Sequence, residues 1–134
     1  MSSCRPIPLA LSLALALAAC AAPRPNPVAA AMLEAFNAHD PAAMASLVTE
    51  DFELYYVSDA GVAELGSRGR EALQRDMVAY FAARPAVRSA IEGVVPGDRF
   101  VAFRERIVGG ASSLAVYEVQ DSLLRRAWYY PSEQ

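Results

Sequence analysis

The chain has 134 residues and a formal net charge of −3, from 12 basic and 15 acidic side chains. Every basic residue is arginine, which excludes chemistry that needs a lysine, such as a P-loop or a Schiff base, and the acidic balance leaves no excess cation with which to hold nucleic acid. The 54% hydrophobic content is concentrated at the N-terminus, and the remainder is enough for one core and too short for two.

The first element is an address. Arg5 is followed from Leu9 to Ala19 by an unbroken run of Leu, Ala and one Ser, the pattern of a secretory signal. The run is shorter than the about 20 apolar residues that a membrane-spanning helix needs. Its end, Leu17-Ala18-Ala19-Cys20, resembles the bacterial lipobox, in which small residues precede a cysteine that becomes the lipidated first residue. Cleavage at an Ala-x-Ala site near Ala19, with Cys20 unmodified, is the alternative. Lipidation fits the cysteine count: Cys4 leaves with the signal and Cys20 carries the lipid, so the domain keeps no free thiol. Several acyl chains hold a protein stably where one does not. Ala21 stands where an aspartate would signal inner-membrane retention, so the resemblance implies a cell-envelope protein on the outer membrane, facing the periplasm and touching membrane through its anchor only. The expected organisation is a signal peptide at 1–19, a lipidated cysteine with a Pro-rich tether at 20–27, and one domain at 28–134.

Asn26-Pro27 reads as an N-cap with proline at the first helical position, opening a helix to about Ala38 with Val28, Met32 and Phe36 on one stripe. Asp40-Pro41 repeats the signal for a short helix through Val48, with Met44, Leu47 and Val48 inward. Phe52–Val57 is aromatic and β-branched, hence a strand. After a loop through Gly61, a third helix runs from Arg70 to Arg84 on a stripe of Leu73, Met77, Tyr80 and Phe81, and Pro85 ends it. Four strands follow, at Val87–Val95, Phe100–Val108, Leu114–Gln120 and Leu124–Tyr130, separated by turns at Pro96-Gly97-Asp98, Gly109-Gly110 and Asp121-Ser122. Helices first and a meander afterwards is the α+β pattern, with helices on one face of a sheet.

Phe36-Asn37-Ala38-His39-Asp40, Gly69-Arg70-Glu71-Ala72-Leu73, and Val116-Tyr117-Glu118-Val119-Gln120-Asp121 with Arg126-Ala127-Trp128-Tyr129, in this order and spacing, resemble the SnoaL-like branch of the nuclear transport factor two-like superfamily over roughly residues 28–131. The resemblance implies a cone-shaped, strongly curved antiparallel sheet packed on three N-terminal helices. It also implies an internal pocket and, often, a homodimer through the outer sheet face.

Alternation assigns the faces. Val101, Phe103, Glu105 and Ile107 share one side of their strand, while Phe100, Ala102, Arg104 and Arg106 share the other. A three-residue turn in the last hairpin sets Glu118 opposite Arg126, Val116 opposite Trp128, Tyr117 opposite Ala127 and Ala115 opposite Tyr129, pairing charges and matching large with small. A two-residue turn would set Tyr117 against Arg126. The first register, which the resemblance also implies, puts Ala115, Tyr117, Ala127 and Tyr129 inside. The expected pocket is therefore Tyr56, Val101, Phe103, Glu105, Ala115, Tyr117, Ala127 and Tyr129. The outer set, Arg104, Arg106, Glu118, Arg126, Trp128 and Tyr130, reads as a solvated charged face or a dimer surface, and its Trp, Tyr and Arg content favours the interface.

No nucleophile elbow is present, and a zinc site would have one histidine to draw on and no free cysteine; no metal and no cofactor is expected. His39 lies in an inter-helix loop, where an exposed or capping role fits better than catalysis, and Asp40 reads as a helix cap. The family's steroid isomerases carry a tyrosine on the first helix, a base on the first strand and a protonated acid on a late strand; those positions fall at Met32, Tyr56 and Ala115, none of which can play its part. Glu105 among tyrosines remains. It is either a polar-core carboxyl bonded to hydroxyls or a general acid/base or ligand anchor. The reading from sequence is a lipid-anchored protein whose cone binds a small apolar ligand or a protein partner without catalysis. The alternative is a cyclase, dehydratase or isomerase of a small hydrophobic substrate with Glu105 as acid/base. The anchor is tested directly: Cys20→Ser moves the protein from the membrane fraction to the soluble one, and a soluble wild type rules the anchor out.

Overall fold

A computed structural model describes residues 26–131; the expected signal peptide, Cys20 and the expected tether before Asn26 lie outside the described residues. Helix α1, Pro27–Asn37, starts where Asn26 Oδ1 accepts from the Val28 amide at 3.0 Å, and it buries Val28, Ala29, Met32 and Ala35. Helix α2, Pro41–Ser46, is capped by Asp40, which accepts from the Ala43 amide at 2.9 Å. The sequence predicts this helix through Val48, but it ends at Ser46. Val48 instead opens strand β1, Val48–Val57, because its β-branched side chain is seated fully buried opposite Leu124.

Strand β2, Ala63–Arg68, occupies a stretch the sequence marks only as the approach to the third helix. It is an edge strand with Ser67 as its one buried residue, so it has no apolar alternation to read. Ser67 Oγ donates to Asp76 Oδ2 at 2.6 Å, tying this edge to helix α3, Arg70–Ala83. Arg70 forks onto the Val48 carbonyl at 3.2 and 2.8 Å, and the Gly69 amide donates to the Phe52 carbonyl at 2.7 Å. The Gly69-Arg70 pair therefore fastens α3 to the start and the middle of β1. Strands β3 (Ser89–Val95), β4 (Phe100–Ile107), β5 (Ser112–Gln120) and β6 (Leu123–Tyr130) complete the sheet.

The α+β class holds, with one correction: the sheet is mixed. Its order is β2-β1-β6-β5-β4-β3, and β6 lies parallel to β1 while every other neighbouring pair is antiparallel. The last strand returns beside the first, a pairing between segments too far apart in sequence for turn chemistry to announce. Bulges at Leu54/Tyr55 against β2, at Glu92/Val94 in β3 and at Glu118/Val119 against β6 bend and twist the sheet around the helices. Gly93, at φ +57°, is the extra residue of the β3 bulge. Val48, Val101, Phe103 and Leu124 are the largest wholly buried side chains. Each contributes about 1.5–3 kcal/mol of burial, more than an exposed ion pair supplies.

The β5–β6 register is the expected one: Glu118↔Arg126, Tyr117↔Ala127, Val116↔Trp128 and Ala115↔Tyr129. The turn is not. Gln120 pairs with Leu123 across the two residues Asp121 and Ser122, both at positive φ (50° and 64°), as a type I′ turn requires. The register is then restored by the bulge, in which Arg125 is the unpaired residue between Leu124 and Arg126.

Two cross-strand rows mark the outer face. An apolar row runs the width of the sheet, Leu65–Tyr55–Trp128–Val116–Ala102–Val95, each paired with the next. Beside it lies a charged ladder: Arg68 to Glu53 at 3.0 Å, Glu53 to Arg126 at 3.0 Å, Arg126 to Glu118 at 3.2 Å, and Glu118 to Arg99 at 2.9 Å. Glu118, expected on the outer face, does lie there but is only 3% exposed, because Arg99 and Arg126 close over it from either side. The hydrogen bond from Arg99, aided by the charges of Arg126 and Arg99 and opposed by desolvation, holds its carboxyl below the ordinary glutamate value. A carboxyl with a depressed native pKa leaves the unfolded state with more bound protons, so its stabilisation is present above the ordinary value of 4.5 and fades as pH falls through the native one. Glu118→Gln is therefore expected to flatten the acid limb of the melting temperature against pH below about 4.5, with a smaller effect at neutral pH in high salt than in low salt. Parallel acid limbs for the two proteins would contradict this.

Candidate functional site

Between the concave face of the sheet and helices α1 and α3 is an open cavity of about 390 Å³, within the lower part of the range of small-molecule pockets. Phe103, Tyr117 and Ala127 form its floor, Met32 and Phe36 of α1 and Met77 and Tyr80 of α3 form its wall, and Tyr56, 55% exposed, stands at its rim. Gly66 on β2 lets Tyr56 take that position, since a Cβ there would come within 2.6 Å of the Tyr56 ring.

Glu105 lines the cavity. Ser89 Oγ donates to its Oε1 at 2.6 Å. Ser89 is itself clamped: Asn37 Nδ2 donates to its carbonyl at 2.9 Å, and its amide donates to Asn37 Oδ1 at 2.8 Å. The end of α1 and the start of β3 thus hold one carboxylate oxygen in place. The other, Oε2, is buried and makes no hydrogen bond of normal geometry, a costly state for a carboxylate; the Tyr129 hydroxyl lies near enough to the carboxylate to interact with it weakly. The Tyr117 and Tyr129 hydroxyls are 2.7 Å apart, and their rings meet edge to face at 6.2 Å. Burial first, and then the negative charge of Glu105, pushes both phenols above their ordinary pKa, so both stay neutral donors at physiological pH.

Six of the eight expected pocket residues, Tyr56, Phe103, Glu105, Tyr117, Ala127 and Tyr129, line the cavity. Val101 and Ala115 share the inner face but are wholly buried in the core and do not reach the cavity. Alternation sorts the sides of a strand and says nothing of depth along it. Ser89 and Asn37 were not foreseen as site residues. Asn37 lies within the Phe36–Asp40 motif, but its partner is 52 positions away, beyond any local signal. His39 is a cap, as the sequence suggested: at φ +53° it ends α1, with its amide donating to the Phe36 carbonyl at 3.0 Å and the next amide, of Asp40, donating to the Ala35 carbonyl at 3.0 Å. Its ring is half-buried, stacked on Phe81 at 4.4 Å with Nε2 2.8 Å from the Val87 carbonyl, away from the cavity. Of the positions that correspond to the isomerase residues, Met32 and Tyr56 line the cavity and Ala115 does not.

A model of the SnoaL-like domain matches residues 29–125. Among solved structures, a SnoaL-like protein of unknown function from Burkholderia thailandensis is 23% identical, with 78% of this chain and 90% of that chain covered at a TM-score of 0.66. IdmH, a candidate polyketide cyclase from Streptomyces antibioticus, is 21% identical over 76% of this chain and 87% of its own, with a TM-score of 0.60. A candidate ketosteroid isomerase from Kribbella flavida is 17% identical over 81% and 78%, with a TM-score of 0.61. At these identities the likeness establishes the fold alone. No protein of curated function matches the sequence.

The orphaned oxygen sets an expectation for stability. Glu105→Gln keeps an acceptor for Ser89 and removes the charge, and it is expected to change stability by no more than about 1 kcal/mol. Glu105→Leu removes a buried charge at the cost of one stranded hydroxyl, so its melting temperature should equal or exceed that of the wild type. A loss above about 3 kcal/mol on thermal denaturation of Glu105→Leu would make the carboxylate a structural keystone instead.

Proposed function

The chain belongs to the SnoaL-like domain family, and from that premise we propose that its cone binds one small, largely apolar molecule, oriented by a polar group directed at Glu105. The observation that carries this reading is the buried, unpartnered Oε2 beside an open apolar cavity. A carboxyl retained only for structure would have both oxygens bonded to its neighbours, and a cone retained only for structure would be filled by its own side chains. The ligand supplies what the fold withholds.

A second reading is catalytic, and the Tyr117–Tyr129 hydroxyl pair supports it. Glu105 takes a proton from a carbon next to a carbonyl, a neutral phenol donates to the oxygen that gains charge, and the proton returns at another atom. Two of the fold relatives carry the names of a candidate ketosteroid isomerase and a candidate polyketide cyclase. Against it stand Met32 and Ala115 where the isomerases carry polar groups, so the binding reading comes first.

Around this site we place two further features. The Leu17–Cys20 motif supports a lipid anchor in the cell envelope, with the domain facing the periplasm. The six-strand apolar row centred on Trp128 supports a homodimer through the outer sheet face, since the neighbouring charges already neutralise one another within the chain. Native mass spectrometry of protein purified from its own membranes tests these together. The expected result is a lipid-modified chain that starts at Cys20 and carries a small retained molecule, absent from Glu105→Leu. The same spectra should show a dimer, which Trp128→Glu converts to a monomer with its far-ultraviolet circular dichroism unchanged. A wild type that retains nothing, and whose melting temperature moves with no member of a panel of small apolar compounds, would overturn the binding reading.

A further inference from the structure

The chemistry of the cavity narrows the class of ligand, and this narrowing rests on the binding reading above. Glu105 is the one charged side chain that lines the cavity; among the described residues there, none is arginine or histidine. The arginines that neutralise Glu53 and Glu118 all act on the outer face. The interior therefore holds an uncompensated carboxylate with one oxygen committed to Ser89 and one free.

Around it runs an unbroken belt of rings. Phe103 contacts Tyr117 at 4.9 Å, Tyr117 contacts Tyr129 at 6.2 Å, and Tyr129 contacts Tyr56 at 6.1 Å, so the belt leads from floor to rim. Aromatic faces carry negative quadrupole potential and attract cations within about 6 Å of their centroids. A carboxylate and a belt of rings act in the same electrostatic sense, and the helical wall adds the apolar side chains of Met32, Leu73 and Met77 between the further rings of Phe36 and Tyr80.

We propose that the cavity is selective for a small lipophilic ammonium, a protonated amine whose N–H bonds Glu105 Oε2 and whose hydrocarbon part fills the apolar wall. A neutral hydroxyl or amide donor would satisfy the orphaned oxygen but leave the buried charge uncompensated. A protonated amine meets both demands, and a quaternary cation meets only the second. An anionic ligand such as a carboxylate would face Glu105 with no cation to intervene.

The test is a pair of probes that differ in charge and hardly in shape: N,N-dimethylbenzylamine, protonated at neutral pH, and its hydrocarbon counterpart isobutylbenzene. Dissociation constants for the full chain are measured by ligand-observed NMR. The wild type is expected to bind the ammonium at least about 10-fold more tightly than the hydrocarbon, a difference of about 1.4 kcal/mol. Glu105→Gln should erase that preference while still binding isobutylbenzene, which also reports that the variant is folded. If the hydrocarbon binds the wild type as tightly as the ammonium or more so, cation selectivity is overturned and the binding reading survives. A preference that persists in Glu105→Gln also overturns it, because the charge would then lie elsewhere. If neither probe binds at millimolar concentration, the cavity is not a site for molecules of this size, and both readings fall together. The wild-type comparison decides the matter even if the variant does not fold.

Discussion

The hairpin of β5 and β6 is the element on which the rest of the molecule depends. A strand presents alternate side chains to opposite faces, so a slip of one residue exchanges every inner group for an outer one. Here the tight turn at Asp121-Ser122, left alone, would bring Tyr117 opposite Arg126 and carry a guanidinium into the cone. The bulge at Arg125 adds the single residue that prevents this. It sends Tyr117, Ala127 and Tyr129 inward to the cavity, and Glu118, Arg126 and Trp128 outward to the ladder and the apolar row. Cavity and outer face are set by the same local irregularity.

The distribution of charge follows from that division. Outside, acids and arginines are matched pair by pair, and even the buried Glu118 sits between two guanidiniums. Inside, the one well-formed hydrogen bond to Glu105 comes from Ser89, and Ser89 is fixed by a reciprocal pair of hydrogen bonds with Asn37. A native fold gains nothing from an unpaired buried carboxylate oxygen, since leaving it so costs more than pairing it returns. Its persistence beside an open cavity is the kind of local inconsistency that marks a functional position. The fold provides the means to tolerate it through the wholly buried Val101 and Phe103 on the same strand.

The helices matter here chiefly as placement. Gly69 and Arg70 lock α3 to β1 through the Phe52 and Val48 carbonyls, and Asn37 locks the end of α1 to β3. His39 closes the same corner by stacking on Phe81. These ties hold the apolar wall of Met32, Met77 and Tyr80 at a distance from the sheet and so keep the cavity from collapsing.

Features governed by near neighbours were legible in the sequence. The Asn26 and Asp40 caps depend on amides two or three residues away. The face assignments of β4 and β5 follow from a period of two, and the hairpin register follows from matching charge and size between adjacent strands. The expected export signal and lipobox rest on sequence alone and lie outside the described residues. Tertiary structure decided what no local rule encodes. It made an edge strand of Ala63–Arg68, laid β6 parallel to β1, covered Glu118 with two arginines, and chose which inner residues reach the cavity. Glu105 could be named from its alternation with Val101 and Phe103. That one of its oxygens is bonded and the other bare could not, because Ser89 and Asn37 reach it only after strands and helices distant in sequence have packed, and the satisfaction of a buried polar group depends on everything within hydrogen-bonding distance of it.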